Sequence, residues 1–136
     1  MKAPLRVRYD DGVLLVVDKP HGVATQGSDG DLYSILNATF DYIGLHHRMD
    51  QAASGLLLLT TNRKANKGIS KAFKSHAIQR RYLAVLSGRL PDSCTWSWPL
   101  DGRTATTHVR LLGYGRGKTA VEVSLETGRT HQIRKH

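Results

Sequence analysis

The stretch that decides the fold reads HHRMDQAASGLLLLT and extends from His46 to Thr60. Its second part, Gly55 to Thr60, is apolar at successive positions, which predicts a central β-strand covered on both faces. The first part places polar side chains in a loop at the start of that strand. A rigid scaffold would fix Asp50 there while the loop admits a substrate, so Asp50 is a candidate catalytic residue. Taken alone, a loop aspartate more commonly caps nearby backbone amides.

The segments before this stretch predict a hairpin and a short helix. Two aliphatic runs, Leu5 to Tyr9 and Val13 to Asp18, are separated by a turn at Asp10-Asp11-Gly12. Ser28 to Asp31 then offers capping side chains for a helix through Leu32, Ile35 and Leu36.

A second helix is predicted directly after the central strand. Asn62 can cap it, and the helix should extend to about His76 because apolar side chains recur at three- and four-residue spacing. The opposite face carries four basic residues: Arg63, Lys67, Lys71 and Lys74. Such a face can bind phosphate, although most basic helical faces are simply solvated.

The rest of the chain predicts mainly strands. Tyr82 to Leu86, Thr106 to Leu112 and Thr119 to Glu126 all have strand character, and the last alternates between apolar and polar residues. We therefore expect an α+β fold, with a mixed, mainly antiparallel sheet and inserted helices, over residues 1–136 as one domain.

Composition indicates the kind of partner. The chain has 136 residues, with 20 Lys plus Arg against 11 Asp plus Glu, a net charge of +9 and a pI near 10.1. This excess suits a polyanion, with nucleic acid favoured over an anionic membrane. Cys94 is the single cysteine, and no zinc-type Cys/His spacing or signal peptide occurs. We expect a cytoplasmic monomer that needs no metal and no membrane.

Two further segments concentrate reactive side chains. Tyr82 opens a strand after two arginines and could stack on a base, although a single strand tyrosine is more commonly half-buried packing. Leu125 to Arg134 combines a strand end, a glycine turn and a polar run that predicts a helix start. Amides there and the Arg129 guanidinium could hold a phosphate or a carboxylate. The alternative for Arg129 is a surface ion pair.

Four motifs, in order, resemble those of RluA-type pseudouridine synthases. His47-Arg48-Met49-Asp50 with Ser54-Gly55-Leu56-Leu57 is similar to the motif that holds the family's nucleophilic aspartate. Arg81 to Val85 resembles the tyrosine motif, and Thr127 to Arg134 resembles the arginine motif. Asp11 to Gly22 resembles the N-terminal motif ending in Lys-Pro-x-Gly. The resemblance covers nearly the whole chain.

The resemblance implies the pseudouridine synthase catalytic fold and an enzyme that isomerises uridines of rRNA or tRNA without a cofactor. It makes Asp50 the nucleophile, Tyr82 the active-site aromatic and Arg129 the partner of Asp50. It makes Arg48 the residue that fills the RNA stack after the target uridine has flipped out. The further RNA-binding residues would be His47, Arg81, Gln132 and Arg134. The carboxylate could attack the sugar or the base, and the sequence leaves both possibilities open.

The chain departs from the family at several places. Met49 replaces a leucine, which conserves volume, and Gln51-Ala52-Ala53 replaces a more polar triplet. The chain stops at His136 inside a predicted helix, so we expect a truncated domain with apolar surface exposed along residues 13–17 and 56–59. Because the motifs start at once at the N-terminal end, we expect no accessory S4 domain.

Two alternative functions remain open from the residues. One is a basic RNA-binding fragment that keeps the motifs but has lost activity through truncation. The other is a glycosidase-like hydrolase that uses Asp50 with a second carboxylate, for which the motifs offer no obvious partner acid.

Overall fold

The computed structural model describes residues 5–136, which divide into two compact units, one through Ser75 and one from His76 to His136. We call them the N-terminal and the C-terminal unit and describe each by itself. The single domain expected over residues 1–136 stays a prediction.

The N-terminal unit is a four-stranded antiparallel sheet with helices. Its strands follow the order β1-β2-β4-β3 across the sheet. In chain order its elements are β1 (Arg6–Asp10), β2 (Leu14–Lys19), α1 (Leu32–Asn37), β3 (Gly44–Leu45), β4 (Gly55–Thr60), a 3-10 turn (Arg63–Ala65) and α2 (Asn66–Lys74). The predicted hairpin, both helices and the central strand are confirmed.

The apolar core lies on one face of this sheet. Leu57 and Leu59 of β4 are fully buried and pair with Val17 and Leu15 of β2, also fully buried. Leu56 points to the other face and is 62% exposed. The prediction that both faces of β4 are covered was therefore wrong for Leu56, because alternate side chains of a strand face opposite sides.

The loops and helix α1 complete the N-terminal core. Val23, Leu32, Leu36 and Ile43 pack with the buried residues of β2 and β4. Asp31 caps α1 by accepting from Ser34 N at 2.7 Å. Burying each large aliphatic side chain contributes on the order of 2 kcal/mol, so this cluster fixes the sheet that carries the Asp50 loop.

The C-terminal unit is a second four-stranded antiparallel sheet, with the order β5-β8-β7-β6. In chain order its elements are β5 (Arg81–Ser87), β6 (Cys94–Trp96), β7 (Thr107–Gly115), β8 (Lys118–Leu125) and α3 (Gln132–Lys135). Strand β6 was not predicted, and the other three strands were. Two antiparallel sheets with inserted helices confirm the α+β fold class.

The core of the C-terminal unit is smaller. Val109, Val121 and Val123 are buried, and Ile133 of α3 packs against them. On the outer face of β5, Leu83 and Val85 are 78% and 69% exposed. Apolar surface was expected along residues 13–17 and 56–59. There, the exposed large side chains are Val13 and Leu56.

Candidate active site

Asp50 lies in the loop between β3 and β4, half-buried. Its carbonyl accepts from Ala53 N at 3.0 Å, which closes a turn directly after it. Gly55, at the end of the loop, has a φ of 132°, a backbone conformation that residues other than glycine rarely adopt. The loop therefore has a defined shape that presents Asp50 immediately before the buried strand.

Two residues from the segment after β2, Gly22 and Thr25, hold this loop through hydrogen bonds. The hydroxyl of Thr25, which is 2% exposed, donates to Met49 O at 2.7 Å and accepts from Met49 N at 3.0 Å. Gly22 N donates to Gln51 O at 2.8 Å, and the Gln51 side chain donates back to Gly22 O at 3.0 Å. The residues on both sides of Asp50 are thus clamped.

Lys19, the last residue of β2, is fully buried beneath the loop. Its Nζ donates to Val23 O at 2.6 Å, to Pro20 O at 3.1 Å and to Gln51 O at 3.4 Å. Burial lowers the pKa of Lys19, and the charge of Asp50 opposes that shift. Lys19 therefore ties the segment after β2 to the Asp50 loop and places a positive charge within the influence of the carboxylate. In the sequence, Lys19 stands out only as part of the N-terminal motif, and no local pattern there indicates this buried role.

His47 and Arg48 precede Asp50 and differ in exposure. His47 Nε2 accepts from Leu58 N at 3.0 Å, and its ring lies 4.6 Å from the ring of Phe73, so this imidazole supports β4 and α2. Arg48 is exposed, with Nη2 3.5 Å from Gln26 O. Arg48 is thus placed to reach a ligand, and the RNA contact predicted for His47 stays a prediction.

A polar network lies behind this segment. Thr60 Oγ1 donates to Asn66 Oδ1 at 2.6 Å, and Asn66 Nδ2 donates to the hydroxyl of Tyr42. The single hydroxyl proton of Thr60 is already donated to Asn66, so His46 Nε2 must donate to Thr60 Oγ1 at 2.9 Å. The other ring nitrogen, His46 Nδ1, then accepts from the hydroxyl of Ser70 at 3.1 Å. Burial lowers the pKa of His46, against an opposing effect of Asn66.

In the C-terminal unit, Tyr82 lies on β5 opposite Val123. Its side chain is half-buried against the core of that unit. Arg81, its neighbour, is exposed and donates to Gln79 Oε1 at 3.0 Å. The strand placement of Tyr82 agrees with prediction, and its role as the active-site aromatic stays a prediction.

The arginine motif forms a turn built around Gln132. Gln132 is 3% exposed, and its Oε1 accepts from Thr127 Oγ1 at 2.8 Å and from Arg129 N at 3.0 Å. Its Nε2 donates to Thr106 O and Thr107 Oγ1. This buried amide therefore holds the turn together, and the RNA contact predicted for Gln132 stays a prediction.

Arg129 is half-exposed beside this turn, and its Nε donates to Thr104 O at 2.8 Å. The backbone N–H of Arg129 already donates to Gln132 Oε1. That amide therefore does not contribute to the anion site we expected at the helix start. Arg134 is exposed on α3. Its RNA contact and the pairing of Arg129 with Asp50 stay predictions.

Metal-binding clusters and membrane-spanning helices are both absent from residues 5–136. Within this range, no three His, Cys, Asp or Glu side chains are grouped so as to hold a metal ion. None of the helices described there has both the length and the apolar character that a membrane crossing requires.

Comparison with known proteins identifies relatives along the whole chain. The sequence model of the family described as RNA pseudouridylate synthase matches residues 13–136. The ribosomal large subunit pseudouridine synthase D of Xanthomonas campestris is 35% identical over 98% of this chain and 47% of its own length. The enzyme of the same name from Yersinia pestis is 31% identical over 98% of this chain and 48% of its own.

A solved structure supports the same fold. Human RNA pseudouridylate synthase domain containing 1 has a TM-score of 0.82 and 24% identity, covering 98% of this chain and 64% of that structure. The chain spans about half the length of the curated relatives it matches. Since the family model matches residues 13–136, well over half of the chain, the chain belongs to the RNA pseudouridylate synthase family, as the RluA-type resemblance predicted.

Proposed function

We propose that this chain carries the catalytic part of an RNA pseudouridine synthase that isomerises uridine in ribosomal or transfer RNA, with Asp50 as the nucleophile. One observation carries the proposal: Asp50 lies in a loop clamped by the buried side chains of Lys19 and Thr25. Clamping the backbone on both sides of Asp50 limits where its carboxylate can lie, which favours the fixed geometry that covalent catalysis requires. Both curated relatives named above are ribosomal large subunit pseudouridine synthases, which favours ribosomal RNA.

The reaction needs only rearrangement of bonds. The bond between N1 and the ribose C1′ breaks, the uracil turns, and a new bond joins C5 to C1′. The hydrogen on C5 leaves as a proton while N1 gains one, so no electrons enter or leave. Asp50 supplies a carboxylate that attacks the nucleoside and is released when the new bond has formed.

The other roles follow the family motifs. We propose Arg48 as the side chain that fills the gap left by the flipped uridine, because it is exposed and its guanidinium can stack and donate hydrogen bonds. We propose Tyr82 as the active-site aromatic and Arg129 as the partner of Asp50. The basic composition supplies the general attraction to RNA.

Tritium release tests this proposal. Large-subunit ribosomal RNA labelled with tritium at uridine C5 is incubated with the protein, and tritium in water is counted while nuclease digests are analysed for pseudouridine. We expect tritium and pseudouridine in equal amounts. RNA binding without tritium release would overturn the proposal in favour of an inactive RNA-binding fragment. Abasic sites with free uracil would overturn it in favour of a hydrolase.

A further inference from the structure

A groove on the N-terminal unit has a lining suited to a nucleobase. Its volume is about 470 Å³, and it is formed by Gln26, Tyr33 and residues 42–48. Two tyrosines, two histidines and Arg48 contribute rings, hydroxyls and positive charge, and the lining contains no carboxylate. Aromatic side chains next to basic ones are typical of surfaces that bind unpaired RNA bases.

Helix α2 braces this groove from behind. Asn66, Ser70 and Phe73 lie on one stripe of the helix and contact Tyr42, His46 and His47, respectively. Gly44 is buried in the groove wall, where a Cβ would lie 2.1 Å from Thr60 Oγ1. The groove therefore has a fixed shape rather than one assembled by a ligand.

The neighbouring stripe of α2 is basic. Lys67, Lys71 and Lys74 follow the bracing residues by one position each, so they lie about 100° around the helix and are exposed. Arg63, in the turn before α2, stacks over the ring of Tyr42 at 4.3 Å. Arg63 thus connects the basic stripe to the groove, and the described part of α2 has no acidic residue to oppose it.

We propose that this groove holds an unpaired nucleobase of the substrate RNA, stacked on Tyr42 or Tyr33, while Arg63 and the basic stripe of α2 bind the phosphates that follow it. The inference rests on the proposed function, because it takes RNA as the substrate. It adds a binding subsite next to Asp50, since Arg48 of the groove lies two residues before Asp50 in the same loop. The groove recognises single-stranded RNA by stacking, and the stripe contributes charge without base preference.

Two probes separate stacking from charge. One is a fluorescein-labelled 12-nucleotide oligouridylate, and the other is the same backbone with abasic ribose at every position. We expect the protein to bind the oligouridylate at least 10-fold more tightly. Tyr42→Ala should weaken oligouridylate binding about 5-fold to 100-fold and leave abasic binding nearly unchanged, and Tyr42→Phe should restore it. Tyr9→Ala, at an exposed tyrosine of β1, is the matched control.

The charge contribution is tested by Lys67→Glu with Lys71→Glu. This double variant should weaken both probes by the same factor and reduce the salt dependence of binding. Crosslinking of 4-thiouridine in the oligouridylate to the unaltered protein should label peptides that contain Tyr33 or Tyr42. This measurement does not depend on the folding of any variant.

The outcomes distinguish this proposal from the proposed function. If the protein releases tritium from ribosomal RNA but Tyr42→Ala behaves as Tyr9→Ala and crosslinks map outside the groove, the subsite is wrong and the enzyme assignment stands. If crosslinks map to Tyr33 or Tyr42 but no tritium is released, the subsite stands and the enzyme assignment fails. Equal affinity for the two probes would show a surface that binds phosphate alone and would overturn the subsite.

Discussion

Two polar residues near Asp50, Lys19 and Thr25, are buried and hold the loop, although polar residue types are usually exposed. Lysine is rarely fully buried, yet Lys19 is, and its ammonium donates to three carbonyls that serve as its partners. Thr25 satisfies both the donor and the acceptor of Met49. These contacts matter because a catalytic group displaced by about an ångström loses much of its rate.

Lys19→Met tests the clamp beneath the loop. Methionine fills the space but leaves the Val23 carbonyl without its donor and removes one of the two donors to Gln51 O, so the free energy of unfolding should fall by about 1–3 kcal/mol. Tritium release should fall as well, since the Asp50 loop loosens. Urea unfolding and the release assay measure the two effects. Lys118→Met, at an exposed lysine, should change neither, and an equal response of both variants would remove the clamp.

Asp31 makes stability depend on pH. It accepts from the backbone of Ser34, Gly27 and Ser28, and the Ser34 hydrogen bonds are the largest cause that lowers its pKa from 3.8 to about 2. A lowered carboxyl pKa in the folded state stabilises above the unfolded value and loses that contribution as pH falls from about 4 to about 2. The thermal midpoint should fall over that range.

Asp31→Ala isolates the contribution of this cap. The variant should lose about 1 kcal/mol near pH 7 and show a shallower fall in midpoint below pH 4. Asp29→Ala, at an exposed carboxylate of the same loop, should follow the unaltered protein. Identical acid profiles for both variants would contradict the assignment.

At the scale of elements, α2 and the β3–β4 pair form one supporting structure. The network from Tyr42 through Asn66 and Thr60 to His46 joins the helix to both strands. Glycine at position 44 makes this network possible, because β3 lies too close to the side chains of Thr60 and Asn66 to leave room for a Cβ. The helix therefore supports the segment that leads to Asp50.

Gly44→Ala tests this close approach. The added methyl would lie 2.1 Å from Thr60 Oγ1 and 2.7 Å from Asn66 Oδ1, so the network must shift, at a cost of about 1–3 kcal/mol. Gly68→Ala, in the open interior of α2, should instead stabilise by about 0.5–1 kcal/mol. The midpoints of urea unfolding should move in opposite directions, and a neutral Gly44→Ala would show that β3 has room.

The sequence predicts those helices and strands that are determined by residues close together in the chain. The hairpin, α1 and β4 follow from periodicity and capping side chains near them in sequence. Strand β6 was not predicted, because Cys94–Trp96 is too short to show an alternation of apolar and polar residues. In the site, the motif around Asp50 is readable, whereas the burial of Gln132 depends on Thr107, 25 residues away. The contacts of Lys19 with Gln51 are equally remote.

At the scale of the whole molecule, we expect the net positive charge to dominate binding to the proposed RNA substrate. An excess of nine positive charges over 136 residues attracts phosphates and displaces their counterions on binding. Under the proposed function, polar contacts to base edges and stacking would then add selectivity. Affinity should therefore combine a large salt-dependent part with a smaller part that depends on sequence.

Salt titration measures this division. The dissociation constant for ribosomal RNA should rise by at least 10-fold between 50 and 200 mM salt, because several phosphate contacts are lost to competing cations. Filter binding in sodium chloride gives the slope. A dissociation constant that stays constant across this range would contradict an interface dominated by phosphates.

The central claim is that Asp50 is the nucleophile of an RNA pseudouridine synthase. Asp50→Asn keeps the shape of the side chain and removes its nucleophilicity, so RNA affinity should persist. Asp29→Asn is the matched control for loss of one carboxylate. The decisive measurement is tritium release from C5-labelled ribosomal RNA. We predict release by the unaltered protein and Asp29→Asn, and at least a 1000-fold lower rate for Asp50→Asn. Release by Asp50→Asn at a rate near that of Asp29→Asn would contradict the claim.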